Sequence, residues 1–440
     1  MKIIIIVVLV ISVILGILFW RFGYLLKGTS NLNQPVTLKV WGLWEDESLI
    51  KGAIDLYQKR NPSVTVEYTH QSSVNYRTRV QTQILQSENG PDILMIHNSW
   101  VPMFLQKSTI AAIPLDLMSI DQFKKTFYPI ATDNFIKNNQ IYALPLEVDG
   151  LALFYNEDLL SQKNIKIPQN WDEFMDAASK LTVKDEKSNI QIAGAAMGTT
   201  SNVDHWSDIV GLLFSQQPNA NLEKPATKAG ADVLRFYTSF IKNEDPAKRV
   251  WSVAMEGSTQ AFFSGKLAFY FAPSWRAHEL RVANPELNFK TAPVPHLPGR
   301  NIGWATYWAL AVSNKSSNQK KAWEFLNFLT SKEVEKLLYQ EASRTRLFGQ
   351  PYSRVDLQKE IINDPIAGAF VAQAPTFKSW YLASRTFDQG INDEMIKYYE
   401  DAINATLEGR DPLNALQTTE QGVKQVLDKY INPLPAPSEE

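Results

Sequence analysis

Strands and helices alternate along the chain from Val36 onward, and this alternation limits it to a small set of folds. Val36–Trp41 alternates apolar and polar side chains as a half-buried strand does, and Glu47–Arg60 has apolar residues at helical spacing. Val64–Tyr68 predicts a second strand, Tyr76–Ser87 a second helix, and Pro91–Ile96 a third strand that is apolar on both faces. Repeated strand, helix, strand units predict a mostly parallel sheet with helices on both faces.

With 440 residues the chain is too long for one ordinary core, so two domains of about 200 residues are expected. Strand and helix patterns accordingly continue through the rest of the chain. The further predicted strands are Gln140–Leu146, Leu151–Tyr155, Leu267–Phe271, Asn288–Val294 and Trp308–Val312. The further predicted helices are Trp171–Leu181, Lys228–Lys242, Thr259–Phe263, Asn318–Thr330, Lys332–Glu341, Glu394–Leu407 and Leu413–Tyr430.

Charge and cysteine content exclude several classes of protein. Lys and Arg total 44 against 46 Asp and Glu, so the chain lacks the excess positive charge of a nucleic-acid-binding surface. It contains no cysteine, which excludes disulfides, thiolate metal sites, cysteine nucleophiles and a lipid-modified N-terminal cysteine. Its 5 histidines lack the HxxxH or HxH spacing of metal sites. We therefore expect no metal, no cofactor and no nucleic-acid partner.

An apolar run near the N-terminus predicts attachment to a membrane. Ile3–Trp20 is long enough, at about 1.5 Å per residue, to approach the roughly 30 Å of a bilayer core. The run lacks the small residues of a cleavage site, so residues 1–27 are predicted to be a transmembrane anchor or uncleaved signal, and residues 28–35 a polar tether. A cleaved signal peptide is the alternative, and basic residues on both sides of the run leave its orientation open.

Five stretches of the chain occur in an order that is known from one protein family. They are Pro91–Leu94 (PDIL), Tyr142–Leu160 (with YALPLEVD and LFYNEDLL), Pro168–Phe174 (PQNWDEF), Phe263–Trp275 (with FSGKLAF and PSW) and Ala322–Ser331 (AWEFLNFLTS). In this order they resemble the extracellular solute-binding proteins of ATP-driven (ABC) importers, in the sugar- and oligosaccharide-binding branch that includes maltose-binding proteins.

The resemblance implies an α/β fold of two lobes, the type II periplasmic-binding-protein-like fold, with a hinge and a ligand cleft between the lobes. Lobe one would comprise residues 36–146 and 306–344, lobe two residues 147–305 and 345–431, and residues 432–440 would form a tail. The resemblance also implies a monomer without enzymatic activity that binds a carbohydrate and delivers it to the permease subunits of an ABC transporter. Held by its N-terminal anchor, the binding domain would lie on the extracellular or periplasmic face of the cell membrane.

The chain has the side chains that a sugar site requires. Sugars present apolar C–H faces and rims of hydroxyl groups, which aromatic rings and carboxylate or amide groups recognise. Several of its 12 Trp residues lie at predicted strand ends, where open α/β sheets bind ligands. The predicted ligand-binding residues are Trp44, Glu45, Asp46, Ser99, Trp100, Asp149, Trp206, Trp275, Trp304, Tyr307 and Arg344.

Three of these residues are placed by the resemblance. Asp149 would occupy the family's sugar-binding carboxylate position, Trp275 its platform tryptophan, and Arg344 its last crossing between the lobes. Glu147 lies two residues before Asp149, on the same face of an extended chain, and either contacts the ligand or holds the hinge.

For other candidates a structural role is the alternative to ligand contact. Glu45 and Asp46 precede a predicted helix, whose N-terminus acidic side chains stabilise. Trp100 either stacks on the ligand or packs on its lobe, and His97 is expected to form hydrogen bonds within its loop.

Other functions are compatible with the same residues. An anchored sensor subunit would use the same closure of the lobes. A carbohydrate-active enzyme is a further alternative, because glycosidases use two carboxyl groups and Glu147 and Asp149 are such a pair. A peptide, a polyamine or a phosphorylated compound could replace the sugar in this fold. The chain lacks the Gly-x-x-x-x-Gly-Lys-Ser/Thr motif, so it carries no ATPase of that type.

Overall fold

The strands of the protein form two main sheets and two short ribbons. The structure, a computed structural model, describes residues 35–86 and 90–431. In chain order the strands are β1 (Val36–Gly42), β2 (Val64–His70), β3 (Ile93–His97), β4 (Ile110–Ala111), β5 (Ile136–Lys137), β6 (Gln140–Ile141), β7 (Leu144–Pro145), β8 (Ala152–Asn156), β9 (Val183–Lys184), β10 (Ile190–Ala195), β11 (Leu267–Ala272), β12 (Phe289–Ala292), β13 (Gly303–Trp304), β14 (Trp308–Ser313) and β15 (Phe377–Lys378).

Helices cover both main sheets. In chain order they are α1 (Glu47–Arg60), α2 (Tyr76–Gln86), α3 (Val101–Gln106), α4 (Ile120–Thr126), α5 (Pro129–Phe135), α6 (Glu157–Gln162), α7 (Trp171–Leu181), α8 (Trp206–Gln216), α9 (Lys228–Thr238), α10 (Ser258–Phe263), α11 (Arg276–Ala283), α12 (Gln319–Leu329), α13 (Lys332–Ser343), α14 (Gln358–Ile361), α15 (Ala367–Gln373), α16 (Ile391–Leu407) and α17 (Pro412–Tyr430). Short 3-10 turns occupy Asn98–Trp100, Pro246–Lys248, Val355–Leu357 and Ala374–Thr376.

The first sheet has the strand order β2, β1, β3, β14, β4, and β7 also pairs with β14. Strand β1 is parallel to β2 and to β3, whereas β14 is antiparallel to β3. Leu38 and Val40 are buried and Thr37 is exposed, so the alternation predicted for β1 corresponds to its two faces. We call the part of the molecule built on this sheet lobe one.

The second sheet has the strand order β12, β8, β11, β10, β9. Strand β8 is antiparallel to β11 and β12, and β10 is parallel to β11. Every residue of β8 and β11 is buried, because helices such as α10 on β11 and α15 on β12 cover the sheet. We call the part built on this sheet lobe two.

The strands that follow a crossing between the lobes depart from the predicted, mostly parallel arrangement. Strand β8 follows the first crossing and β14 the second, so each enters its sheet from the end that faces the other lobe. Trp308, the first residue of β14, therefore lies opposite His97, the last residue of β3. A strand that enters from the ligand-facing end of the sheet must run antiparallel to strands that finish there.

The chain crosses between the lobes three times, and the crossings pack against one another. They lie between β7 and β8, between β12 and β14, and between α13 and α15. Gly150 of the first crossing pairs with Ala305 of the second, and Glu147 of the first with Tyr352 of the third. The two-lobe α/β fold is thus confirmed. The exact lobe boundaries remain a prediction.

The predicted anchor and tail lie outside the described residues. Residues 1–27, most of the tether and residues 432–440 belong to the part of the chain that the structure does not describe. Within residues 35–86 and 90–431, no helix combines the length and apolar character needed to cross a bilayer.

Gly150 permits the closest backbone approach at the crossings. A Cβ atom at this position would lie 2.0 Å from the backbone oxygen of Trp304, which is far inside van der Waals contact. We expect Gly150→Ala to destabilise the protein by about 1–3 kcal/mol, as overpacked buried sites do. Urea unfolding at fixed pH would measure the loss.

Gly257→Ala provides the matched control, because a Cβ atom there meets nothing within 4 Å. Equal stabilities of Gly150→Ala and Gly257→Ala would contradict the tight packing of the crossings.

Candidate functional site

A cavity of about 470 Å³ lies between the lobes, at the edge where strands of both sheets end. The carboxyl ends of β1, β3 and β11 and the amino end of β14 border it, and open α/β sheets bind ligands at such an edge. Its volume is within the roughly 300–1,000 Å³ of small-molecule sites. The residues used below that line it are Trp44, Glu45, Glu147, Asp149, His97, His205, Ser274, Trp275, His278, Thr306, Trp308, Arg346, Phe348, Gln350, Ser384, Arg385 and Phe387.

Trp275 presents an aromatic ring to the cavity from lobe two. It lies in the turn between β11 and α11, and 36% of the residue is exposed although it is large and apolar. The guanidinium of Arg276 lies 4.4 Å from the ring centroid, and the ring of His205 meets it edge-on at 5.8 Å. These contacts fix the orientation of the indole and leave part of it accessible for stacking.

Trp44 presents a second aromatic ring from lobe one. It follows β1, and 39% of the residue is exposed. Its ring meets that of Trp308 edge-on, with the centroids 5.3 Å apart. Tryptophan platforms therefore face the cavity from both lobes.

Asp149 is a buried carboxyl group on the first crossing, at the base of the cavity. Its Oδ1 atom accepts hydrogen bonds from the backbone N–H groups of Gly150 at 2.7 Å and Ser274 at 3.0 Å. Its Oδ2 atom accepts one from the Ser274 hydroxyl at 2.8 Å. Burial raises the pKa of Asp149 to about 7, although these donors act to lower it. The carboxyl group joins the crossing to the turn that carries Trp275.

Glu147 is half-buried on the same crossing. Burial raises the pKa of its carboxyl to about 8, with smaller contributions in the same direction from the negative charges of Asp149 and Glu45. The guanidinium of Arg346 acts in the opposite direction. A carboxyl group with this pKa retains its proton at neutral pH and can donate a hydrogen bond to a ligand hydroxyl.

Glu45 is held by the third crossing. Both of its carboxylate oxygens pair with the guanidinium of Arg346, one of them at 3.2 Å from Nη1, and the side-chain amide of Gln350 donates to the same carboxylate. A paired arginine and carboxylate of this kind has a fixed geometry. Glu45 therefore connects lobe one to a crossing segment on the wall of the cavity.

Three histidines line the cavity, and burial disfavours their charged forms. Burial lowers the pKa of His97 to about 3, and burial together with Arg346 lowers that of His278 to about 4. The pKa of His205 is also lowered, by burial and by Arg276. As neutral imidazoles they can both donate and accept hydrogen bonds. Among the described residues, no group of three or more His, Asp or Glu side chains is arranged to hold a metal ion.

Comparison with known proteins identifies the family. A family model described as bacterial extracellular solute-binding protein matches residues 42–336. The chain belongs to this family. The resemblance indicated by the sequence motifs is thereby confirmed.

Individual relatives of this solute-binding protein are distant in sequence. It is 24% identical over 373 residues to the galactooligosaccharide-binding protein of Bacillus subtilis, covering 80% of each chain. It is 21% identical over 334 residues to the multiple sugar-binding protein of Streptococcus mutans, covering 71% of this chain and 75% of the other. The sugar-binding protein MalE of Xanthomonas citri has the same fold, with a TM-score of 0.73 and 20% identity over 89% of this chain and 98% of the other.

Four of the predicted ligand-binding residues line the cavity of the solute-binding protein: Trp44, Glu45, Asp149 and Trp275. Asp46 does not. It is the N-cap of α1, where its carboxylate accepts a hydrogen bond from the backbone N–H of Ser48 at 2.9 Å. Asp46 therefore has the structural role that was the alternative to ligand contact, which is to stabilise the N-terminus of α1.

The 3-10 turn after β3 points two predicted residues away from the cavity. Trp100 is fully buried, stacked on Phe104 with the centroids 6.0 Å apart. The hydroxyl of Ser99 bonds to His97 Nδ1 at 2.8 Å and donates to Asn392 Oδ1 at 3.0 Å. His97 itself lines the cavity while forming the loop hydrogen bonds that were expected of it.

Trp304 and Tyr307 are also buried in the second crossing instead of lining the cavity. The indole N–H of Trp304 donates to Asp208 Oδ1 at 3.2 Å, and the hydroxyl of Tyr307 donates to Asn134 Oδ1 at 2.9 Å. Thr306, which lies between them in the chain, lines the cavity. Both aromatic side chains thus hold the crossing in place.

Trp206 and Arg344 are each replaced at the cavity by a nearby residue. Trp206 is buried as the first residue of α8, while His205 before it lines the cavity. Arg344 caps α13 in helical conformation and pairs with Glu341 at 2.7 Å on the surface. The cavity is reached only two residues later, by Arg346.

Sequence reasoning missed several residues of the cavity wall, and some of them carry a readable signal. Arg346, Phe348 and Gln350 of the third crossing line the cavity at intervals of two, the spacing that places side chains on one face of an extended segment. Trp308 begins a strand, whereas open α/β sheets bind ligands at the carboxyl ends of their strands. Phe387 lies in an irregular segment that no periodic pattern reveals.

The raised pKa of Glu147 predicts that stability falls as pH rises. Between about pH 4.5, the ordinary value, and about pH 8 the folded protein holds a proton that the unfolded chain has released. Glu147→Gln removes this penalty, so its stability relative to the wild type should improve progressively across that window. The gain should approach about 4–5 kcal/mol at pH 8, since one pKa unit corresponds to about 1.4 kcal/mol. Urea unfolding at several pH values would measure it.

Glu286→Gln removes an exposed carboxylate of lobe two and serves as the control for loss of negative charge. A pH-independent difference between Glu147→Gln and the wild type would contradict the proton-holding state of Glu147.

Proposed function

We propose that this protein is a membrane-tethered extracellular receptor that captures an oligosaccharide between its lobes and delivers it to an ABC permease. The observation that carries the proposal is the pair of partly exposed tryptophans, Trp44 and Trp275, that face one cavity from opposite lobes. Stacking on both faces of a sugar chain would draw the lobes together around it.

The polar groups of the cavity suit a neutral, hydroxyl-rich ligand. Glu147 offers a carboxyl group that is protonated near neutral pH, and Thr306 offers a hydroxyl beside it on the crossings. Arg346 and Glu45 already neutralise one another, so they present hydrogen-bonding groups with little net charge. Such a wall gives no cluster of free positive charge for a phosphorylated ligand.

The relatives support the same class of ligand. The proteins of Bacillus subtilis and Streptococcus mutans described above are named for galactooligosaccharides and multiple sugars, and each aligns over most of this chain. The cavity of about 470 Å³ is within the roughly 300–1,000 Å³ of small-molecule sites. We infer an oligosaccharide ligand on this combined ground.

We also propose that Ile3–Trp20 holds the protein to the cell membrane, with the binding domain outside the cell. The absence of cysteine removes the lipid anchor that would otherwise serve, and the apolar run is long enough to span a bilayer. Closure of the lobes then produces the form offered to the permease.

Binding of oligosaccharides should depend on Trp275. Calorimetric titration with a panel of oligosaccharides is expected to identify a ligand of the wild type, and Trp275→Ala should weaken its affinity about 30- to 150-fold. This range follows from about 2–3 kcal/mol of lost stacking and apolar contact. Trp275→Phe keeps a ring and should lose much less. A lower melting temperature with unchanged affinity in Trp275→Ala would show a structural role instead.

The proposed membrane anchor can be tested separately from ligand binding. The full chain, expressed in its host, should be recovered with the membrane fraction, and a variant that lacks residues 1–27 should be soluble. N-terminal sequencing of the mature protein would distinguish a retained anchor from a cleaved signal peptide. Complete recovery of the full chain in the soluble fraction would contradict the anchor while leaving ligand binding untouched.

A further inference from the structure

A segment of irregular chain runs along the cavity between β15 and α16. We call residues Ser384–Gln389 the strap. Three of them, Ser384, Arg385 and Phe387, line the cavity. Arg385, Phe387 and Gln389 have φ angles of 62°, 52° and 46°, in the left-handed region that side chains other than glycine disfavour. Such a conformation persists only where surrounding contacts hold it.

The strap is attached to lobe two by buried polar groups. The backbone N–H of Ser384 donates to Asp208 Oδ2 at 3.0 Å, and the Ser384 hydroxyl bonds to His205 Nδ1 at 2.9 Å. Asp208 and His205 are both almost completely buried in lobe two. Arg385 adds an ion pair with Asp204 at 3.0 Å.

The same strap contacts lobe one through fewer groups. The ring of Phe387 lies 6.0 Å from that of Trp44, and both residues are about two-fifths exposed at the cavity. Arg77 of α2 donates from Nε to the backbone oxygen of Asp388 at 2.7 Å and from Nη2 to that of Gln389 at 3.5 Å. When the lobes open, the strap must lose either its contacts with lobe one or its contacts with lobe two.

We propose that the strap is a latch, in which Phe387 on Trp44 holds the two lobes closed across the cavity. The proposal rests on the proposed function, since it describes how the same site retains its ligand. Hydrogen bonds of buried side chains attach the strap to lobe two through Asp208 and His205 and to lobe one through Arg77. The exposed ring pair adds a further contact to this bridge, and it bears on one of the two tryptophan platforms.

The latch can be tested without any ligand. The chain has no cysteine, so Lys59→Cys on α1 and Val282→Cys on α11 provide two exposed sites for spin labels, one in each lobe. Distances between the labels should shift to longer values in Phe387→Ala and stay as in the parent in Phe387→Tyr, which keeps the ring. Trp44→Ala should lengthen the label distances as Phe387→Ala does. Combining Trp44→Ala with Phe387→Ala should lengthen them no further.

Ligand release provides the second measurement. With the oligosaccharide that the wild type binds, stopped-flow dissociation from Phe387→Ala should be roughly 2- to 12-fold faster, the range expected for loss of one aromatic pair. Val253→Ala, which truncates a largely exposed side chain of lobe two, is the control and should dissociate at the wild-type rate.

Each outcome decides the latch. Unchanged label distances in unliganded Phe387→Ala would overturn it, and weaker binding with unchanged distances would make Phe387 a ligand contact only. Failure of every oligosaccharide to bind the wild type would count against the proposed function, and the label distances would still decide the latch.

Discussion

The close packing of the first two crossings at Gly150 and Trp304 is the constraint on which the rest of the structure depends. The backbone N–H of Leu151 donates to the Trp304 oxygen at 2.9 Å, and a side chain at Gly150 would collide with that oxygen. The indole of Trp304 lies against Gly211 of α8, where a Cβ atom would meet the ring at 2.4 Å. Gly150 thus accommodates the backbone of Trp304 and Gly211 accommodates its indole, which locks the second crossing to lobe two. The positions of Glu147, Asp149 and Thr306 follow from this packing.

The electrostatics of the cavity follow from the same crossings. They are buried, so the carboxyl groups that they carry have raised pKa values, near 7 for Asp149 and near 8 for Glu147. Arg346 on the third crossing is committed to Glu45 and leaves both groups without an ion-pair partner among the described residues. In the proposed function, recognition of the ligand would therefore depend on hydrogen bonds and aromatic faces, with little free charge.

Sequence reasoning predicted the fold and part of the site. The alternation in β1, the apolar β3 and the order of motifs led to the two-lobe fold. Trp44 and Trp275, which follow strand ends, lie at the cavity, because a strand end is readable from the pattern; their contact with a ligand stays a prediction. The direction of a side chain after a turn is not readable from the sequence. Trp100 turns into the core within three residues of β3, and α13 extends to Ser343, so that Arg344 caps the helix. The strap was missed because its left-handed residues follow no period.

The hydrogen bonds between Asp149 and Ser274 connect a crossing segment to the turn that carries Trp275. The carboxyl group belongs to a crossing segment, and the turn that it holds carries the Trp275 platform, so movement of the lobes and orientation of the platform are mechanically coupled. A change of sugar specificity made by remodelling this turn would also alter the equilibrium between open and closed forms. Among the described residues, the side chains of Trp44 and Trp308 form no hydrogen bond with the Asp149 carboxyl group. Changes on the lobe-one side of the cavity would therefore leave the coupling between Trp275 and the crossing intact.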